Sequence, residues 1–189
     1  MRLKNIMIVG GTPLALAAAI VFAFNHALLK SAMLMLAGYL ASRAPVKTAS
    51  FEVITGLGKY APLAGVLFLL GGMGLAGIPP MNGFVSKLLV FRSGVEVGDY
   101  AVLALAGVGS LITLVYVARA FQRIWWEPLP EGSKAKAGDQ IFAPALLIML
   151  SLGLGLWGEP LIALATQTAA WLSNPAQYIQ ALTQLGGLP

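Results

Sequence analysis

The chain has 189 residues, 58% hydrophobic and only 10% charged, with 12 basic and 7 acidic side chains, one histidine and no cysteine. An ordinary soluble domain is about 25% charged, so disorder, a nucleic-acid-binding domain and a typical soluble enzyme are excluded, and an all-α integral membrane protein remains. Without cysteine there is no disulfide, thiol or iron–sulfur chemistry, and one histidine with no acidic cluster offers no metal site, so neither cofactor nor metal is expected.

Arg2 and Lys4, followed by apolar residues and Ala15-Leu16-Ala17, imitate a secretory signal. The apolar run continues through Phe24, and the polar residues beyond it belong to the same helix, so cleavage is not expected. A crossing needs about 20 apolar residues for a hydrocarbon core of about 30 Å. Four stretches qualify: 14–41, 61–92, 100–122 and 141–158. The first carries Asn25, His26 and Lys30 near its middle. A lysine at mid-bilayer costs about 2.5–3.5 kcal/mol on insertion scales and usually faces a bundle interior or a water path. Snorkelling is the bland alternative, but Lys30 is too central for easy escape. His26 and Lys30 are four apart and share one helix face. Both cannot be charged cheaply at that spacing, so their titrations are expected to be coupled.

After a polar loop at 42–60 (Arg43, Pro45, Lys47, Glu52, Lys59), the second stretch has an awkward length. As one straight helix, residues 61–92 would run about 48 Å, too long for one crossing and too short for two with a turn. Its middle reads GLAGIPPMNG, 74–83. Pro79 and Pro80 lack amide donors, and Gly77 and Gly83 let the backbone turn. One crossing by a discontinuous helix, with halves near 61–76 and 84–92 and a break near 77–83, resolves the arithmetic; a mere kink or a hairpin is the alternative. Irregular backbone at membrane depth is tolerated only inside protein or beside a watery cavity. Lys87 follows the break in GFVSKLLVF. It is near enough to the span end to snorkel, yet beside a broken helix it reads as a titratable group facing exposed carbonyls and water. Asn25 and Ser86 are its expected polar support. A lysine at its ordinary pKa of about 10.4 holds its proton too tightly to relay it at neutral pH. All seven acidic residues lie in loops or at span ends, so a carboxylate partner for Lys30 or Lys87 must come from another chain, or the lysines spend part of a cycle neutral.

A short linker at 93–99 holds Glu96 and Asp99, and a polar loop, EPLPEGSKAKAGDQ, follows the third stretch at 127–140. Arg119 and Arg123, above Trp125 and Trp126, read as an interface anchor. Asn174-Pro175 reads as the start of a further helix whose stripe is Tyr178, Ile179, Leu182 and Leu185, so 159–189 is expected to form interfacial or partner-docking helices. With 61–92 counted as one crossing, seven basic residues (43, 47, 59, 119, 123, 134, 136) fall on one side and three (2, 4, 92) on the other. The richer side is then cytoplasmic, with loops 42–60 and 123–140 inside and both termini outside. Tyr60, Tyr100, Trp125, Trp126 and Trp157 fall near span ends, as an aromatic belt would.

NHALLKSAMLMLAG (25–38), GLGKYAPLAGVLFLLGGMGLAGIPPMNGFVSKLLVF (56–91) and SLITLVYVARAFQRIWW (110–126) resemble the antiporter-like membrane subunits. That family includes the proton-pumping subunits of respiratory complex I and the D subunits of the Mrp-type sodium/proton antiporters; the ending WLSNPAQYIQALTQL (171–185) is similar to the latter in particular. The resemblance implies about fourteen spans in two inverted repeats, each with one discontinuous helix, of which this chain matches the last four. It makes Lys87 the lysine of the second discontinuous helix, and His26 and Lys30 the HxxxK of the helix before it. The family's glutamate and lysine of the first repeat have no counterpart, so a fragment, a split-gene product or a truncated paralogue is expected. It further implies a proton-conducting half-channel exchanging H+ for Na+ in the cell (inner) membrane, partnered by other membrane subunits and lipid, with no nucleic acid. The alternatives are a redox-driven subunit of complex I or a membrane-bound hydrogenase, and a non-conducting scaffold. An intramembrane hydrolase is weakest, since no mid-membrane carboxylate orients His26.

Overall fold

The computed structural model describes residues 11–43, 50, 54–128, 139–174, 176, 179–180 and 183; among these all regular structure is helical. Arg2, Lys4, Pro45, Lys47, Glu52, the loop residues 129–138 and the tail positions Pro175, Tyr178, Leu182 and Leu185 lie outside the described residues.

Helix α1 spans Pro13–Arg43. Pro13 supplies a first helical residue that has no amide to satisfy, and the Thr12 hydroxyl caps the turn by accepting from the Ala15 N–H at 3.1 Å. Its buried positions Ala18, Val21, Asn25, Leu29, Ala32, Leu36 and Leu40 recur every three or four residues, making one inward stripe. Against it lie α2 (Pro62–Ala76), α3 (Asn82–Val97), α5 (Phe142–Leu156) and α6 (Glu159–Leu172), while α4 (Tyr100–Phe121) packs on α2 and α3.

The stretch 61–92 holds two helices, α2 and α3, joined by the irregular segment 77–81. α3 continues through Val97, beyond the linker boundary expected at 93, and turns tightly into α4: Gly98 is left-handed at φ +73°, and Asp99 caps α4 by accepting from the Val102 N–H at 3.2 Å. α4 then runs into a π-turn at Gln122–Trp126, and the continuous helix Tyr100–Trp126 and α1 are each long and apolar enough to cross a membrane.

One feature differs from the sequence expectation. Trp125 is not part of an interfacial belt. It is 8% exposed, donates from Nε1 to the Ala61 carbonyl at 3.1 Å and sits between the Phe68 and Phe121 rings, whereas its neighbour Trp126 is 70% exposed. The π-turn's extra residue rotates Trp125 inward, where Gly65 leaves room for the indole and Gly58 for the Trp125 backbone carbonyl. The region after 158, expected to form interfacial or partner-docking helices, opens with α6, which packs on α1. α5 and α6 meet at a bend of 80° and together are apolar and long enough for a broken span. Pro160 in the first turn of α6 stops α5 from continuing, and Ala165 and Ala169 bury against Ala17, Ala18 and Val21 of α1.

Candidate functional site

The end of α2 fixes the geometry of the break. An α-helix leaves its last four carbonyls without intrahelical partners. Here two are met by a Schellman-type closure. The Ile78 N–H donates to Met73 O at 2.9 Å, and the Gly77 N–H reaches Gly74 O at 3.2 Å, with Gly77 left-handed at φ +83°. The other two, Leu75 and Ala76, accept from the Lys87 ammonium at 3.0 and 2.7 Å. The third Nζ contact is the Ser110 hydroxyl of α4 at 2.7 Å, which in turn donates to Ala106 O at 2.9 Å. Lys87 thus closes the first half-helix from the second, and all three of its hydrogen-bond partners are neutral oxygens.

Two glycines make this approach possible. A Cβ on Gly77 would meet the Lys87 Cδ, and a Cβ on Gly83 would collide with the backbone carbonyl of Gly74. The residues around Pro79 and Pro80 carry the chain between these contacts, with Met81 fully buried beneath them.

Beyond its three contacts, Lys87 faces a groove of about 400 Å³ between α1 and α4, floored by α3. His26 lines the same groove, stacked on Phe22 with ring centroids 5.3 Å apart, and Ser93, Ser110 and Thr113 add hydroxyls to otherwise apolar walls. Asn25, the residue before His26, turns the other way: it is 3% exposed, and its Nδ2 donates to the Ser86 hydroxyl at 3.4 Å, which donates to Gly83 O at 3.0 Å. Lys30 is exposed on α1 and does not line the groove. The structure therefore gathers His26 and Lys87 in one groove, pairs Asn25 with Ser86 outside the lining of that groove, and leaves Lys30 outward. Ser110, absent from the residues singled out by sequence, bears directly on Lys87; a hydroxyl inside an apolar span, shared with Thr113, was its only signal. Among the described residues no group of acidic, histidine or cysteine side chains could hold a metal.

The model of a family described as NADH:quinone oxidoreductase/Mrp antiporter, transmembrane, matches residues 4–113. The D subunit of the Na(+)/H(+) antiporter of Bacillus subtilis is 34% identical over 174 residues, covering 90% of this chain and 35% of that protein. The N subunit of the F(420)H(2) dehydrogenase of Methanosarcina mazei is 33% identical over 168 residues, covering 84% and 34%. The N subunit of the NADH-quinone oxidoreductase of Desulforudis audaxviator is 31% identical over 178 residues, covering 89% and 34%. In the solved structure of the Mrp complex from a Dietzia species, one chain superposes with a TM-score of 0.75 at 26% identity, over 90% of this chain and 40% of that one. The chain spans about a third of the length of the curated relatives it matches.

Proposed function

The chain belongs to the NADH:quinone oxidoreductase/Mrp antiporter transmembrane family, and on that premise we propose that it forms the C-terminal half-channel of a cation/proton antiporter subunit, moving H+ in exchange for Na+. One arrangement supports the reading above all: a lysine ammonium held by two helix-end carbonyls and a hydroxyl at a broken helix, open to a groove that also holds a histidine. Lys87 takes and releases the proton, His26 exchanges it across the groove, and Lys30, exposed on α1, connects to the rest of the assembly. The relatives named as antiporter subunits supply the Na+ in this proposal. The partners are other membrane subunits, the membrane is the cell or inner membrane, and the basic loops 42–60 and 123–140 face the cytoplasm.

The test uses the assembled complex in proteoliposomes, with subunit content checked by gel. Lys87→Met keeps an apolar contact but cannot titrate, and Lys87→Arg keeps its charge permanently because guanidinium does not deprotonate in proteins. Proton flux should collapse in both while assembly survives. Full flux in Lys87→Arg means that Lys87 only closes α2, which is the scaffold reading.

A second reading has its own support. Two relatives of almost equal identity are named as N subunits of an F(420)H(2) dehydrogenase and of an NADH-quinone oxidoreductase. In that case the same half-channel is driven by redox chemistry in other subunits. Purifying the native complex and identifying its subunits decides between the two.

A further inference from the structure

We propose that the helix break carries a second, closed site, distinct from the lining of the Lys87 groove, holding ordered water between Asn25 of α1, Asn82 of α3 and Ser151 of α5. The three helices converge there. The Asn25 amide reaches Ser86, one turn along α3 from Asn82. A Cβ on Gly155 of α5 would stand 2.6 Å from the Asn82 backbone nitrogen, so α5 lies against the start of α3, and Ser151 is one turn before Gly155.

Asn82 and Ser151 are 0% exposed and Asn25 is 3% exposed. Four of their side-chain atoms, Asn25 Oδ1, Asn82 Oδ1, Asn82 Nδ2 and Ser151 Oγ, have no hydrogen-bond partner among the described residues. Ser151 also departs from its peers. The hydroxyls of Ser93, Ser110, Thr113, Thr166 and Thr168 each donate to a carbonyl three or four residues back, as hydroxyls inside helices do, and that of Ser151 does not. Buried polar groups are almost always paired, with protein or with ordered water. Because this chain alone already buries these side chains completely, no neighbouring subunit can reach Asn82 or Ser151. Their partner has to be small and enclosed.

Water fits that role better than a monovalent cation. The cluster offers acceptors and also the Asn82 amide donor, which a cation would leave unmet. Water donates and accepts, and buried waters typically make about three bonds to such groups. No carboxylate joins the cluster to offset an enclosed charge, and an uncompensated buried charge is costly. None of the three side chains is ionisable, so the site joins α1, α3 and α5 without storing a charge of its own. It holds Asn25 against the break, and His26, the next residue, is thereby left facing the Lys87 groove.

A cryo-electron microscopy map of the intact native complex in lipid nanodiscs tests this, taken once in sodium and once in choline medium, at a resolution that shows waters in the Lys87 groove as the internal control. Density within hydrogen-bond distance of Asn82 and Ser151 in both media is the expected result. Density present in sodium and lost in choline would mark a cation and overturn the water assignment. A map with waters at Lys87 but none beside Asn82 overturns the site itself. In Asn82→Leu, the density at this site should disappear while that at Lys87 stays; unchanged density would also count against it.

Discussion

Lys87 Nζ lies 2.7 Å from the Ala76 carbonyl, so one ammonium both closes the end of α2 and stands where the broken helix opens. These two roles pull on the same bonds. A protonated amine supplies three donors for Leu75 O, Ala76 O and Ser110 Oγ. A neutral amine has only two and gains a lone pair. The two carbonyls can only accept, but the Ser110 hydroxyl can turn and donate. Ser110 is therefore the contact that can serve both forms of the lysine. Ser110→Ala should leave assembly intact and lower proton flux by about tenfold or more, given about 1.5–3 kcal/mol for a hydrogen bond to a charged group. Ser110→Thr, which keeps the hydroxyl, should recover most of it. Flux unchanged in the alanine variant would remove Ser110 from the mechanism.

The closeness of α2 and α3 at the break gives a packing prediction. A methyl on Gly83 runs into the Gly74 carbonyl, which is backbone and cannot step aside. A methyl on Gly74 stands 2.7 Å from a Leu29 methyl, a side-chain tip that can rotate. Overpacking a tight contact costs about 1–3 kcal/mol. Gly83→Ala should therefore lower the melting temperature of the complex or prevent its assembly, and Gly74→Ala should do so much less. Equal effects would contradict this geometry.

The break was legible in the sequence because it combines two independent signals, a run too long for one helix and the Gly77-Ile78-Pro79-Pro80 punctuation within it. Lys87 was legible as an ionisable residue beside that break. Its partners were not, because Leu75 and Ala76 contribute only backbone carbonyls and Ser110 arrives from a helix whose rotation no local pattern fixes. The same limit explains Trp125. Two adjacent tryptophans at a span end read as a belt, and only the π-turn decides that one goes in and the other out. The bend after Leu156 was hidden because a proline two residues after a glycine near a span end fits both a loop and a broken span.

Trp125 offers a stability test remote from the groove. Its indole N–H is a second donor to Ala61 O, which already accepts from the Gly65 amide at 3.2 Å. Removing the indole donor leaves that carbonyl bonded, so Trp125→Phe should cost only about 1 kcal/mol for the lost bond. Trp125→Ala also leaves a void between Phe68 and Phe121 and should cost about 3–5 kcal/mol. Thermal melting of the purified complex should rank wild type, Phe and Ala in that order. An alanine variant as stable as the parent would show that this contact does not hold α4 to α2.

His26 and Lys30 give the last test. They stand one helical turn apart, yet the groove takes His26 and the outer surface of α1 takes Lys30. An exposed lysine in a span is costly in lipid, and a neighbouring subunit covering that face would relieve the cost. A proton passing between that subunit and the groove would then meet Lys30 and His26 in succession. His26→Ala and Lys30→Ala should each lower flux in the assembled complex. If the two act in series, once one is lost the other has little left to do, so the double variant should fall well short of the summed losses, with a coupling above about 0.5 kcal/mol. Proton flux of the two single variants and the double variant, measured in proteoliposomes at matched subunit content, gives the coupling directly. Additive losses would mean that Lys30 and His26 serve separate paths, and a Lys30→Ala complex with full flux would leave His26 and Lys87 as the whole of the path in this chain.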